Sequence, residues 1–149
     1  MTVKIREMTA SDAGPAALIE KEIITPPWSA DDYRDALSKD SYLLLAAEDE
    51  AKCLAGYCVA SMAADEAEIV DVGVAPDQQG GGIGSLLVEE MLKRLRARGI
   101  TAVFLEVREH NAAALRTYEK NGFEAVGRRK DFYSAPTEDA IIMKEETLC

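Results

Sequence analysis

The sequence contains few of the residues on which metal sites and nucleophilic triads depend. Its 149 residues include one histidine, His110, and three cysteines, Cys53, Cys58 and Cys149. One histidine excludes most triads built on a histidine base and most histidine-rich metal sites. The odd number of cysteines, with no CxxC pair, predicts free thiols in a reducing compartment. We therefore expect neither a metal ion nor a disulfide.

The sequence also lacks apolar runs long enough to cross a membrane and an excess of positive charge. No run approaches the ~20 residues of a membrane-spanning helix, and the first residues form no apolar signal core. The 27 acidic and 17 basic residues give a net charge of −10, which disfavours binding to nucleic acid or to anionic membranes. The acidity suits a basic peptide partner, or it serves solubility alone. We expect a cytoplasmic protein that is a monomer or a weak dimer.

The hydrophobic pattern predicts strands and helices in the order β-α-α-β-β-β-α-β-α-β-β. The predicted strands are 3–8, 42–48, 53–62, 67–74, 102–107, 123–128 and 140–143. Helices are predicted from about residue 11, from residue 30, over 83–98 and over 111–120. An antiparallel meander followed by a strand–helix–strand crossover predicts an α/β or α+β fold around one mixed sheet. The length fits a single domain over residues 1–149.

The connection between the first two helices carries clear boundary signals. The segment TPP at residues 25–27 ends the first helix, because proline removes a backbone donor and restrains the residue before it. Ser29 fits the N-cap of the second helix, with Asp32 as the partner in a capping box. Trp28 precedes the cap and is placed to pack on Tyr33. Trp28 therefore has a structural role and needs no binding role.

A glycine-rich loop, Gln79 to Ser85, lies between the fourth predicted strand and the third predicted helix. Its sequence QGGGIGS has four glycines in five positions, which permits unusual backbone angles and the close approach of a ligand. The free N–H groups of the following helix favour a pyrophosphate. A P-loop requires a lysine that is missing, and a dinucleotide fingerprint requires glycine in place of Ser85. The alternative is a flexible turn that binds nothing.

The glycine loop resembles the acetyl-CoA-binding loop of the GNAT N-acetyltransferases. The pattern of that loop is Q/R-x-x-G-x-G/A, and it is matched here by Gln79, Gly82 and Gly84. The run LEVREHNAAALRTYEKNGFEAVGRRKDFY, the early PPWS and the closing EDAIIM are similar to one branch, the bacterial ribosomal-protein-alanine N-acetyltransferases. The resemblance covers nearly the whole chain. Phe132 departs from a tyrosine common in that branch, and Gly81 replaces what is often a longer polar residue.

The resemblance implies a fold, a cosubstrate and a set of site residues. The fold is a central mixed sheet of about seven strands, splayed at its centre and flanked by about four helices. The cosubstrate is acetyl-CoA, and its implied contacts are Val72, Gly73, Val74, Gln79, Gly80, Gly81, Gly82, Ile83, Gly84, Ser85 and Asn111. Residues 72–74 face the pantetheine and thioester, and the loop from Gly80 to Ser85 holds the pyrophosphate. The implied general base is Glu106, and the implied general acid is Tyr118.

Glu106 stands out without any resemblance, because it is the only charged residue in the strand segment AVFLEV. A carboxylate at such a position is costly unless it is paired, solvated or functional. The structural alternative is a strand-end residue that reaches solvent or pairs with Arg108. Asp71, in another apolar strand near the loop, is the main rival for the base, and Glu68 is a weaker one.

Asn111 and Tyr118 are seven residues apart, so they lie on nearly the same face of the predicted fourth helix. Asn111 also fits a plain N-cap, a role that is compatible with a ligand contact. Tyr118 also fits a core aromatic residue. Gly73, inside the apolar strand VDVGV, marks a bulge, a ligand contact or close packing.

The expected reaction is direct attack of a primary amine on the thioester of acetyl-CoA, and the expected acceptor is the N-terminal alanine of a small-subunit ribosomal protein. The basic-aromatic segment 128–133 forms a wall of the peptide site in the resembling branch, or else it is a solvated hairpin. Other N-termini, lysines and small amines are alternative acceptors. A non-catalytic acetyl-CoA sensor is an alternative of another class, but it needs neither Glu106 nor Tyr118.

Overall fold

Seven strands form one mixed sheet with two helices packed against each face. The computed structural model describes residues 2–146. Its strands are β1 Lys4–Glu7, β2 Tyr42–Glu48, β3 Leu54–Ala63, β4 Glu66–Val74, β5 Ala102–Arg108, β6 Glu124–Tyr133 and β7 Glu138–Glu146. Its helices are α1 Ala13–Ile23, α2 Ala30–Leu37, α3 Ile83–Ala97 and α4 Ala112–Lys120. The predicted order and the mixed α/β class are confirmed.

The sheet is split between its fourth and fifth strands. The strand order is β1-β2-β3-β4-β5-β7-β6, and all neighbours are antiparallel except β4 and β5. That parallel pair is formed only where Glu66, Ala67 and Glu68 face Ala102, Val103 and Phe104. Beyond these pairs the two strands diverge, which is the splay that the resemblance implied.

Helix α3 buries Leu87, Met91 and Leu95 as its sequence predicts, whereas Leu86, expected on the same face, is 45% exposed. Ile83, Leu87, Met91 and Leu95 recur every four residues and are buried in a core shared with β2 to β5. The helix ends before Gly99, whose φ of +90° is the left-handed conformation that favours glycine at this position.

Helices α1 and α2 cover the opposite face, joined as the sequence predicts. Ser29 accepts a hydrogen bond from the Asp32 backbone N–H at 3.1 Å and completes the capping box. The Trp28 and Tyr33 rings lie 5.2 Å apart, which confirms their predicted contact. The sequence predicts an apolar face of Ala16, Ala17, Ile19 and Ile23 on α1, but the fully buried residues of this helix are Ala13, Ala16 and Glu20.

The last two strands are longer than the sequence pattern predicts. Strand β6 reaches Tyr133 because its exposed polar residues pair with β7, and such pairing leaves no hydrophobic signature. Cys53 is exposed and Cys58 is buried, and both are free thiols. Cys149 lies outside the described residues.

Candidate active site

The split in the sheet leaves one edge of β4 without a neighbouring strand. Val72, Gly73 and Val74 pair with β3 on one side, and the pairing with β5 on the other side has already ended at Glu68. The backbone groups on the free edge are therefore available to a bound molecule. Gly73 has a packing reason of its own, since a Cβ there would lie 2.2 Å from the hydroxyl oxygen of Tyr57.

The glycine loop connects the end of β4 to the start of α3. Gly80 and Gly82 have φ angles of +85° and +86°, and a Cβ on either would meet nothing within 4 Å. The Gln79 side chain donates to the Val74 carbonyl oxygen at 3.1 Å, which fastens the loop to β4. The α3 N-cap, Gly82, supplies no side-chain cap.

Within residues 2–146, the first N–H groups of α3 receive no side-chain cap, and they carry the positive end of the helix dipole. Such a terminus favours the binding of phosphate groups. Ser85 lies in the first turn, and its hydroxyl accepts a hydrogen bond from the Asn121 side chain at 3.2 Å. Asn111 caps α4, with Oδ1 accepting from the Ala114 N–H at 3.1 Å, and its side-chain NH₂ group points away from that bond.

Glu106 lies two residues beyond the last β4–β5 pair and lines a cavity of about 340 Å³. Leu105 and Val107, its neighbours on β5, belong to the core under α3, so Glu106 points to the opposite face of the sheet. Its side chain is 21% exposed and Oε2 lies 3.0 Å from Arg129 Nε. That contact is an ion pair without hydrogen-bond alignment, and Oε2 has no hydrogen-bond partner within residues 2–146.

The alternative prediction, that Glu106 pairs with Arg108, was wrong. Arg108 instead donates to the carbonyl oxygens of Ser134 and Pro136 and pairs with Glu138 at 3.3 Å. Its guanidinium also lies 4.5 Å from the centre of the Tyr133 ring. Arg108 therefore holds the turn between β6 and β7. The partner of Glu106 comes from β6, within the basic segment 128–133.

The two rival acids occupy different environments. Glu68 lines the same cavity as Glu106, and its pKa is raised by burial and, to a lesser degree, by the Glu106 charge. Asp71 is 7% exposed and accepts a hydrogen bond from the Tyr33 hydroxyl at 2.7 Å. Burial and the charge of Glu20 raise the pKa of Asp71 to about 8. Asp71 faces the helices α1 and α2 rather than the cavity.

Tyr118 packs against the core on the α3 side of the sheet, with its ring 5.8 Å from the Phe123 ring. Burial raises the pKa of its hydroxyl well above the usual value, so the group keeps its proton. Glu106 and Tyr118 therefore lie on opposite faces of the sheet.

The sequence pattern missed two features around the gap between β4 and β5. The ion pair between Glu106 and Arg129 joins residues that only the pairing of β5 and β6 with β7 brings together. The buried carboxyl of Glu20 was also missed. Its helical spacing from Ala13 and Ala16, both buried, was the available signal.

Within residues 2–146, no helix is long and apolar enough to span a membrane. The same residues include no group of three or more His, Cys, Asp or Glu side chains arranged to hold a metal ion.

Comparison with known proteins connects this geometry to a family. The model of the acetyltransferase (GNAT) family matches residues 8–123. A ribosomal protein bS18-alanine N-acetyltransferase of Salmonella typhimurium is 33% identical over 139 residues, covering 91% of this chain and 92% of that protein. The crystal structure of the ribosomal-protein-S18-alanine N-acetyltransferase from Escherichia coli gives a TM-score of 0.89 at 30% identity, covering 99% of this chain and 96% of that one. The PaiA N-acetyltransferase from Thermoplasma acidophilum, solved in complex with coenzyme A, shares the fold with a TM-score of 0.77 at 20% identity, covering 99% of this chain and 100% of that one.

Proposed function

Because the chain belongs to the acetyltransferase (GNAT) family, we propose that it acetylates the N-terminal alanine of a small-subunit ribosomal protein with acetyl-CoA. The resemblance and the enzyme class expected from the sequence are confirmed. The names of the relatives at 30–33% identity support the acceptor. The proposed setting is the cytoplasm, with residues 1–149 acting as one N-acetyltransferase domain, as a monomer or a weak dimer.

The observation that carries the proposal is the position of Glu106. Its carboxylate lines a cavity, and Oε2 forms an ion pair with Arg129 but lacks a hydrogen-bond partner within residues 2–146. A protonated amine entering the cavity supplies the missing donor. Glu66 and Glu68 line the same cavity, and they favour a positively charged acceptor over a neutral one.

The proposed reaction needs one proton acceptor and one proton donor. Acetyl-CoA supplies an acetyl group already activated as a thioester. Glu106 takes a proton from the ammonium group, so that the free amine forms the new N–C bond as the C–S bond breaks. Tyr118 gives its proton to the departing sulfur, and the excess proton on the acylated nitrogen passes through solvent to restore the Tyr118 hydroxyl. An α-amine, with a pKa near ~8, loses its proton more easily than a lysine, with a pKa near ~10.4.

The remaining proposed residues bind and orient. The loop from Gly80 to Ser85 holds the pyrophosphate on uncapped N–H groups, and Gln79 fixes that loop to β4. The free edge at residues 72–74 orients the pantetheine and the thioester carbonyl. Asn111 contacts the cofactor arm through the side-chain NH₂ group that its capping role leaves available.

The test is a transfer assay with acetyl-CoA and two short peptides, analysed by fragmentation mass spectrometry. One peptide begins with a free alanine and carries no lysine. The other has a blocked N-terminus and internal lysines. We expect acetylation of the alanine α-amine alone, and a bS18 N-terminal peptide is then the next substrate. Acetylation of lysine contradicts the proposed acceptor. Coenzyme binding without transfer to either peptide contradicts the proposed function.

A further inference from the structure

Four polar side chains meet in the interior between the sheet and the helices α1 and α2. Tyr57 on β3 donates a hydrogen bond from its hydroxyl to Glu20 Oε1 at 2.6 Å. Tyr33 on α2 donates to Asp71 Oδ2 on β4 at 2.7 Å. Glu20 is fully buried, and Asp71 is 7% exposed. The two tyrosine rings pack edge to face, 5.6 Å apart. Each of the four elements α1, α2, β3 and β4 therefore contributes one side chain.

The two carboxyl groups of this cluster also interact with each other. Burial raises the pKa of Asp71 to about 8, and both the charge of Glu20 and a hydrogen bond with the Glu20 side chain add to the shift. Within residues 2–146, no basic side chain pairs with either carboxyl group. Two ionised carboxylates in contact inside a low-dielectric core repel strongly, so Asp71 keeps its proton at a pH where an ordinary aspartate has lost it.

The cluster supports the segment of β4 whose opposite edge is free. The Tyr57 ring lies against Gly73, where a Cβ would be 2.2 Å from the hydroxyl oxygen. Asp71 directly precedes Val72, at the start of the segment 72–74. Since β5 has already left β4 at Glu68, no strand holds that segment from the other side.

We propose that Glu20 and Asp71 share one proton and thereby act as positioning residues for residues 72–74, the segment assigned above to the thioester. Loss of that proton places two negative charges in contact, displaces the two tyrosines that donate to them and loosens the free edge. The inference rests on the proposed coenzyme site and is independent of the acceptor.

The titratable groups around Asp71 come from every element packed against it. They are Glu20 of α1, Tyr33 of α2, Tyr57 and Cys58 of β3, and Tyr118 of α4. Burial raises the pKa of the four last-named groups above their usual values, so they stay neutral at physiological pH. Asp71 is therefore the group in the cluster whose pKa, about 8, lies near neutrality.

The first test is a carbon-13 NMR titration of the wild-type side-chain carboxyls, with Asp71→Asn used to assign the Asp71 signal. The expected midpoint for Asp71 lies near pH 8. A midpoint below about pH 5, near the value for an ordinary aspartate, would contradict the proposal that a proton is shared between Asp71 and Glu20. The wild-type spectrum decides this point even where a variant fails to fold.

The second test measures the dissociation constant of coenzyme A by calorimetry between pH 6 and pH 9.5, without an acceptor. In Asp71→Asn, the amide NH₂ group donates to Glu20 and the amide oxygen accepts from Tyr33 at every pH. The variant therefore mimics the protonated pair. We expect equal affinities at pH 6, and at pH 9.5 a wild type that binds about threefold or more weakly than the variant. Exposed Asp40→Asn is the matched control and should follow the wild type.

Glu20→Gln should abolish the weakening of coenzyme binding at high pH, because ionisation of Asp71 then leaves a single negative charge in the cluster. A ratio of wild-type to Asp71→Asn affinity that stays constant across the pH range overturns the positioning role. Coenzyme binding that follows the expected profile without any transfer to alanine contradicts only the proposed acceptor.

Discussion

At the scale of single residues, Glu106 combines a charged neighbour with an unused acceptor atom. Arg129 stabilises the carboxylate by its charge, while Oε2 remains without a hydrogen bond in the described chain. A group that only stabilised the fold would be expected to satisfy its buried acceptor. In the proposed reaction, this unsatisfied acceptor receives its hydrogen bond from the incoming ammonium group.

Glu106→Gln should therefore remove catalysis and leave coenzyme binding intact. The amide keeps the shape of the side chain but cannot take a proton, so we expect kcat to fall by about 10²–10⁴-fold. The dissociation constant of coenzyme A, measured by calorimetry, should stay within about twofold, because Glu106 lies outside the glycine loop. Exposed Glu89→Gln is the matched control. A Glu106→Gln enzyme with unchanged kcat would show that the base lies elsewhere.

At the scale of secondary-structure elements, the glycine loop and the first turn of α3 form one unit. Gly82 is both the last residue of the loop and the N-cap of the helix, and its φ of +86° belongs to the left-handed region. The orientation of the uncapped N–H groups depends on that conformation. A side chain at position 82 would disfavour this backbone conformation even though it would not contact any other residue.

Gly82→Ala should weaken coenzyme binding and destabilise the protein. The left-handed conformation costs a residue with a side chain about 1–2 kcal/mol, which corresponds to about a tenfold loss of affinity if the loop must keep it to bind. Calorimetry and urea unfolding measure the two effects. Gly14→Ala, in α1 with open space around the new Cβ, is the matched control and should stabilise the protein slightly. Equal effects of the two substitutions would contradict the role of the loop conformation.

The contact between Glu20 of α1 and Asp71 of β4 should make the free energy of unfolding depend on pH. Asp71 has a pKa of about 8 in the folded protein against an ordinary 3.8, so between these values the native state holds a proton that the unfolded chain has released. The contribution is complete below about pH 4 and is lost as pH rises to about 8, by at most about 1.4 kcal/mol for each pH unit. Urea unfolding of wild type and Asp71→Asn at several pH values measures it. A difference in unfolding free energy that does not change with pH would contradict this linkage.

The secondary-structure elements could be predicted where their own residues determine the conformation. Strand β2 begins and ends at the predicted residues, and the glycine loop was readable because its conformation is set by its own sequence. The end of β6 was not predictable, since its polar residues are held by pairing with β7 alone. The partner of Glu106 lies 23 positions away along the chain, and only the order of strands in the sheet decides that Arg129 rather than Arg108 reaches it.

At the scale of the whole molecule, the net charge of −10 acts on any charged acceptor before contact. We expect kcat/KM for a basic acceptor peptide to fall severalfold between ~0.01 M and ~0.1 M salt, as the Debye length shortens from ~30 Å to ~10 Å. The value of kcat at saturation should change little, because the charges accelerate encounter rather than chemistry. A peptide with the same N-terminal alanine and only neutral residues is the control. A salt dependence equal for both peptides would contradict steering by the acidic surface.

The three residue pairs that join β4 to β5 also bear on the mechanics of the molecule. The sheet consists of a four-stranded part, β1 to β4, and a three-stranded part, β5 to β7. The inter-strand hydrogen bonds that stiffen a continuous sheet are missing along most of the boundary between β4 and β5. At the proposed coenzyme site, between β4 and β5, a ligand would contact both parts of the sheet. We therefore expect coenzyme binding to make the sheet more rigid and its release to restore the flexibility of the free protein.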